Sequence, residues 1–265
     1  MDYAEKDIYS DDGVLLLSKG EELTAEINRK LKRMKSLTFR DSSSPGIPPS
    51  LVQQGTDLLK SHFKAIDEKL IDDSAGILNK ILFDSRNQPW WLLVNTFSNY
   101  IDWLYTHSIN VTLLSEMIAM SMGLPKKQID SIALGALLHD IGKMMIPKKI
   151  IQKAGKLTNE EFSFIKQHCE LGYSMVKDYK LGNTVRDIIL QHHERLDGSG
   201  YPYGLKAEQI PVHSRIVMLA DILDAMTSYR PYKSSKEIYS ALQELRQDGS
   251  KYPLEIVEIV ESLVK

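Results

Sequence analysis

The stretch Ile129-Asp130-Ser131-Ile132-Ala133-Leu134-Gly135-Ala136-Leu137-Leu138-His139-Asp140-Ile141-Gly142-Lys143 joins an amphipathic helix to a pair of metal-ligating residue types. Ile129, Ile132, Ala133, Ala136 and Leu137 recur at i, i+3, i+4, i+7 and i+8, the stripe by which a helix faces a core, and Asp140 continues it at i+11. The pattern predicts a helix that runs through Asp140 with the carboxylate turned inward. A lone buried carboxylate is costly unless it is paired or bound to a metal. His139 sits about 100° round the same helix, so the two side chains can meet at a point just off its surface. Imidazole plus carboxylate suits zinc, iron or manganese, and one carboxylate has two oxygens with which to bridge two ions. Taken alone, a His-Asp dipeptide is more often a coincidence of the helix surface, so the reading depends on what converges with it.

Outward from this pair, the pattern is helical from Pro89 almost to the end. Trp90-Trp91-Leu92-Leu93 leads into Tyr100–Met122, where Ile101, Leu104, Val111, Leu114, Met117 and Ile118 form an apolar face around His107. Thr158-Asn159-Glu160-Glu161 is a capping box that opens a helix carrying Phe162, Ile165, Cys169 and Leu171, with His168 beside them. A helix from about Thr184 delivers His192-His193-Glu194, and a glycine-rich loop, Asp197-Gly198-Ser199-Gly200-Tyr201-Pro202-Tyr203-Gly204, follows. A further helix from about His213 carries Asp221 and Asp224, and two segments, about Lys236–Arg246 and Pro253–Val264, close the chain.

His107, His139-Asp140, His168, His192-His193 and Asp221 thus come from separate helices roughly 25 to 30 residues apart, a helix plus a loop, which a bundle can aim at one point. Any one of these histidines alone would more often be a hydrogen-bonded core residue; together the odds reverse. Five imidazoles and two carboxylates fit two metals that share Asp140, with His107, His139 and Asp221 on one and His168, His192 and His193 on the other. Such a pair, about 3.5 to 4 Å apart, activates a bridging water and clamps a phosphoester undergoing in-line displacement. Lys143 reads either as a solvated cation in the last turn of its helix or as a phosphate contact, and its place beside the ligand pair favours the contact. Without thiolate ligands a structural zinc site is disfavoured, and Cys169 reads as a small core residue or bystander.

Residues 1–85 form a small N-terminal module in this reading, and residues 86–265 the main domain. The module opens with Asp11-Asp12-Gly13 and Val14-Leu15-Leu16-Leu17, a strand or hairpin, followed by a helix from Leu23 to Lys35. It is too short for a doubly wound phosphoreceiver, which needs on the order of 100 residues. Asp41–Pro49 is a breaker-rich linker or exposed loop. In Leu51–Phe83 the residues Leu58, Leu59, Phe63, Ile66, Leu70, Ile71, Ile77 and Ile81 recur at helical intervals. They read either as a dimerising or signal-relaying helix pair, with a homodimer as the consequence, or as a helical cover over the main core.

At 265 residues, 43% hydrophobic and 26% charged, the composition is that of a globular protein, and a net charge of -2 argues against a polyanion-binding surface and hence against a nucleic acid polymer as partner. Any anionic ligand should be small and held by a few local cations. No apolar run approaches a membrane span, the acidic Met1-Asp2-Tyr3-Ala4-Glu5 lacks an apolar signal core, and the single cysteine excludes an internal disulfide. The expectation is a cytoplasmic protein without a membrane span.

His139-Asp140-Ile141-Gly142-Lys143, His168 with Gly172, His192-His193-Glu194-Arg195, Asp197-Gly198-Ser199-Gly200-Tyr201-Pro202 with Gly204-Leu205, and Ile210-Pro211 resemble the HD-GYP domain, a subgroup of the HD-domain metal-dependent phosphohydrolases. Ala220–Ser228 and Arg230-Pro231-Tyr232 extend the resemblance, which spans about residues 90 to 265. It implies an all-α HD-type bundle with a binuclear site that hydrolyses the bacterial second messenger cyclic di-GMP to pGpG or on to GMP. It implies iron as the metal, with manganese as the alternative. By the same resemblance Asp140 and Lys143 are catalytic, and Lys143, Arg230 and Lys233 hold substrate phosphates. Gly200-Tyr201-Pro202 borders the pocket and contacts signalling-protein partners.

Some members of that family add a third metal through a glutamate one turn before the first ligand histidine; here that position is Trp103, so two metals are expected and the final product is in question. Tyr229 stands where the family usually has Asp, Lys233 where it often has Arg, and Leu196 where an aromatic is common, changes that affect substrate grip rather than metal. Two other functions compete: a hydrolase of another cyclic dinucleotide or nucleotide, and a non-catalytic module that binds cyclic di-GMP through its metals. The intact ligand set favours the enzyme.

Overall fold

The computed structural model describes residues 4, 7–9, 15–17, 38–40, 49–62, 67–86, 88–153, 155–228 and 236–264. The chain divides into two compact units, Met1–Pro48 and Pro49–Lys265. In the first, β1 (Asp7–Tyr9) lies between β2 (Leu15–Leu17) and β3 (Thr38–Arg40) in an antiparallel sheet of order β2-β1-β3. Ile8 pairs with Leu17 and with Phe39, so the expected hairpin is present with a third strand added. The helix expected over Leu23–Lys35 and the Asp41–Pro48 linker lie outside the described residues.

The second unit is helical. Its helices are α1 (Pro49–His62), α2 (Glu68–Ser85), α3 (Trp91–Ser98), α4 (Asp102–Ser121), α5 (Lys126–Leu138), α6 (Lys148–Ile151), α7 (Asn159–Lys166), α8 (His168–Val176), α9 (Asn183–Gln191), α10 (Val212–Thr227), α11 (Ile238–Gln247) and α12 (Leu254–Leu263). Two 3₁₀ turns, Ile141–Met145 and Ala207–Gln209, join α5 to α6 and precede α10. Among the described residues no helix is long and apolar enough to cross a membrane.

The bundle is built round α4. The expected apolar face of that helix is in fact an apolar circumference, with Leu104, Tyr105, Ile109, Val111, Leu113, Leu114, Met117, Ile118 and Ala119 all buried. A helix apolar on every side must be enclosed, and α1, α2, α5, α10 and α12 pack against it. His107 is buried because its helix is. On α2 the core stripe is Ile71, Ser74, Leu78, Leu82 and Ser85, while Ile77 and Ile81 are only half-buried. Polar Ser74 takes an inward place because its hydroxyl bonds the Leu113 carbonyl and Glu116 Oε2, both at 3.1 Å. Burial raises the Glu116 carboxyl well above the ordinary carboxylate range, so the pair enters the core as a neutral hydrogen-bonded unit.

Helix ends place the site. The α5 stripe is buried as expected, but the helix stops at Leu138; His139 is its C-cap, and Asp140, at φ -98° and ψ 6°, begins the 3₁₀ turn. Lys143 therefore belongs to that turn. The capping box at Thr158 forms in both directions, with Glu161 N–H donating to Thr158 Oγ at 3.2 Å and Thr158 N–H to Glu161 Oε2 at 2.8 Å. The helix it opens ends at Lys166, and after Gln167 a second helix starts at His168. His192 is likewise the C-cap of α9.

Candidate metal centre

Four imidazoles are oriented through their Nδ1 atoms, and three of them use helix ends. The last carbonyls of a helix lack intrahelical partners. His139 Nδ1–H donates to the Ala136 carbonyl at 2.6 Å, His168 Nδ1–H to Ile165 at 2.6 Å and His192 Nδ1–H to Ile188 at 3.0 Å. Each bond fixes the tautomer and turns an unprotonated Nε2 inward. His107 sits mid-helix, where carbonyls are taken by the ladder, and uses a carboxylate instead: its Nδ1 lies 2.5 Å from Asp224 Oδ2.

The inward atoms form two groups. Ligand atoms of Asp140, His168, His192 and His193 lie within 4.8 Å of one another, and so do those of His107, His139 and Asp221. Asp140 faces both, since its Oδ1 is 3.3 Å from His168 Nε2 and 3.9 Å from His192 Nε2, while its Oδ2 is 3.4 Å from His139 Nε2 and 3.7 Å from His107 Nε2. Asp221 approaches His107 Nε2 at 3.1 Å through Oδ1 and His193 Nδ1 at 3.7 Å through Oδ2. Lys143 Nζ donates to Asp140 Oδ2 at 2.6 Å and keeps 18% of its side chain exposed.

The donor set fits divalent cations. Asp140 Oδ1 and His139 Nε2 are buried without a hydrogen-bond partner, and His168 Nε2 faces His192 Nε2 at 3.2 Å. With both Nδ1 atoms donating to carbonyls, two lone pairs meet there, a repulsion that a cation relieves. Burial lowers the pKa of His168 to about 4 and those of His192 and His193 well below the ordinary value, which keeps the imidazoles in the form that ligates. Burial opposes ionisation of Asp140 and Asp221, but Lys143 and His139 for the former and His107 and His193 for the latter outweigh it, holding both carboxyls well below the usual range. Cys169 Sγ lies 3.6 Å from His168 Nε2, yet burial raises its pKa, so the thiol stays protonated and serves as packing.

These values set a pH dependence for the metal-free protein. Because His168 binds its proton near pH 4 when folded and near 6.5 when unfolded, the unfolded chain takes up more protons in that window and stability falls as pH drops through it. The carboxylates add their loss only below about pH 4. Glu116, whose carboxyl burial raises, contributes with the opposite sign above its ordinary range. The decline is therefore read in a Glu116→Gln background, where urea midpoints at about pH 7.5 and about pH 5 should show it at the lower value.

Two residues outside the expected set organise the site. Asp224 accepts hydrogen bonds from Asn110 Nδ2 at 2.9 Å and Ser228 Oγ at 2.6 Å as well as from His107. Three donors saturate a carboxylate that an amide could not match, so Asp224→Asn is expected to weaken metal affinity about 10- to 100-fold, measured by competition with a chelator. Glu194, fully buried, accepts from the backbone N–H of Tyr203 at 2.8 Å and of Leu205 at 3.0 Å. It clamps the glycine loop against the end of α9. Gly200 lies so close beneath that a Cβ there would meet Glu194 Cα at 2.4 Å. The loop thereby stacks Tyr201 on His193, with ring centroids 4.7 Å apart. The one signal in the sequence for Asp224 was its place one turn after Asp221. Arg230 and Lys233 lie outside the described residues, and Trp103, at the position of the third-metal glutamate, brings no carboxylate.

Comparison with known proteins follows the same lines. Residues 92–254 match the HD domain family. The chain is 41% identical over 177 residues to a protein of Thermotoga maritima named cyclic di-GMP phosphodiesterase, a match covering 65% of this chain and 48% of that one. It is 35% identical over 157 residues to the 3'3'-cGAMP-specific phosphodiesterase 2 of Vibrio cholerae, covering 58% and 30% respectively. The chain thus spans half or less of the length of these relatives. In fold it is similar to Bd1817, a HDG"Y"P protein from Bdellovibrio bacteriovorus, with a TM-score of 0.57 at 20% identity over 99% of this chain and 95% of that one.

Proposed function

Because the chain belongs to the HD domain family, we propose that it is a metal-dependent phosphodiesterase that opens cyclic di-GMP to linear pGpG. The observation that carries this reading is Asp140, whose two oxygens face two separate groups of ligand atoms. His107, His139 and Asp221 would hold one ion and His168, His192 and His193 the other, with Asp140 between them. The mixed nitrogen and oxygen set, without thiolate, suits zinc, iron or manganese, and the family resemblance favours iron, with manganese as the alternative. When bound, a metal pair supplies an activated water and Lewis-acid stabilisation of phosphoryl charge.

The protein's own part is positioning. Helix-end carbonyls and Asp224 keep the imidazole lone pairs aimed inward. The partly exposed Lys143 ammonium can pair with a phosphoryl oxygen, and by the family resemblance Arg230 and Lys233 add to the same charge. Glu194 holds the loop so that the Tyr201 ring lies against His193, and by the family resemblance Gly200, Tyr201 and Pro202 border the substrate pocket.

The name of the Thermotoga relative supports cyclic di-GMP as substrate, and that of the Vibrio relative supports a second reading, a hydrolase of a mixed cyclic dinucleotide. The test is chromatography of products from the iron- or manganese-loaded chain. Linear pGpG is expected, with kcat/KM higher for cyclic di-GMP than for 3'3'-cGAMP. Intact cyclic di-GMP with metal occupancy verified would overturn the reading, and binding by calorimetry without turnover would replace it with a sensing module.

A further inference from the structure

Helix α7 buries none of its residues, yet it carries an aromatic beside the metal centre. Phe162 is 45% exposed, and its ring centroid is 6.2 Å from that of Tyr201, nearly perpendicular to it. Tyr201 in turn stacks on His193 at 4.7 Å and lies 6.4 Å from His168. Lys166, one turn along α7, holds its ammonium 5.4 Å from the Phe162 centroid. The Phe162 ring therefore does not serve the core, and the Lys166 ammonium lies over one of its faces on a flexible stem that can swing aside for a flat ligand. It stands one aromatic ring outward from a candidate ligand histidine. A nucleobase hangs one ribose away from its phosphate, a matching reach, and exposed aromatic faces are what bases stack on irrespective of backbone contacts.

We propose that Phe162 is a stacking platform for one guanine of the cyclic dinucleotide whose phosphodiester sits at the metal centre, and so determines specificity for nucleotide over other diesters. The inference rests on the cyclic-dinucleotide reading above. Phe164, 50% exposed on the same helix, serves as the control.

The test compares the metal-loaded wild type with Phe162→Ala, Phe162→Trp and Phe164→Ala on cyclic di-GMP and on the abasic cyclic diribose diphosphate, the same diester ring without bases. Phe162→Ala is expected to raise KM for cyclic di-GMP about tenfold, leave cleavage of the abasic diester within about twofold, and be rescued by Phe162→Trp; Phe164→Ala should change neither. Equal losses on both substrates, or an unchanged KM, would overturn the proposal. A wild type that cleaves the abasic diester but not cyclic di-GMP would instead sink the substrate reading. Fluorescence then decides the platform: quenching by pGpG greater in the Phe162→Trp variant than in wild type upholds a guanine-binding surface, and equal quenching removes it.

Discussion

Asp140→Ala should strip both groups of their metal together and lower kcat by at least about a thousandfold. The expectation follows from the division of one carboxylate between two sets of imidazoles. Oδ1 approaches His168 and His192, and Oδ2 approaches His107 and His139. Removing the carboxylate leaves three donors on each side, and it also leaves the Lys143 ammonium, 2.6 Å from Oδ2, without its partner in a largely buried site. By contrast, His139→Ala removes a ligand from one group only and should leave about one metal per chain. Equal metal content in Asp140→Ala and wild type, measured by elemental analysis, would show that the carboxylate does not bridge.

Gly142→Ala should cost about 3 kcal/mol or more of folding stability. A Cβ at this position would lie 1.9 Å from the His168 carbonyl oxygen and 2.5 Å from the Gly172 nitrogen. Both are backbone atoms, which cannot rotate aside as a flexible side chain would. The 3₁₀ turn packs against α8 at this point, and Gly172 makes room from the other side, where an added Cβ would meet Gly142 N at 3.2 Å. Relief of the clash must separate Asp140 from His168, so metal affinity should fall with stability. Urea denaturation with a loss below about 1 kcal/mol and unchanged metal binding would contradict the packing argument.

Much of this was legible in residue types. Asp140 had to be inward because it completed an apolar stripe, and it is buried. The reciprocal pattern of Thr158 and Glu161 marked the start of α7 to the residue. Periodicity was blind where the chain departs from regular helix. It carried α5 two residues too far, through His139 and Asp140, because an amphipathic stripe does not register that the Ala136 carbonyl, in the helix's last turn, is taken by the His139 imidazole. For the same reason His168 read as part of one long helix rather than the first residue of a new one. On α2, hydrophobicity favoured Ile77 and Ile81 over Ser74, whose burial depends on Glu116 from a helix more than forty positions away. Asp224 acts through a hydrogen bond to a side chain more than a hundred positions away, and Glu194 through backbone N–H groups of the loop that follows it, partners that hydrophobic periodicity does not register.

The central claim is that seven side chains from five segments of the chain converge on one binuclear centre. Anomalous scattering from crystals of the metal-loaded chain tests it most directly. Two peaks about 3.5 to 4 Å apart are expected, one among His107, His139 and Asp221, the other among His168, His192 and His193, with Asp140 touching both. A single peak, or a second one away from Asp140, would contradict it.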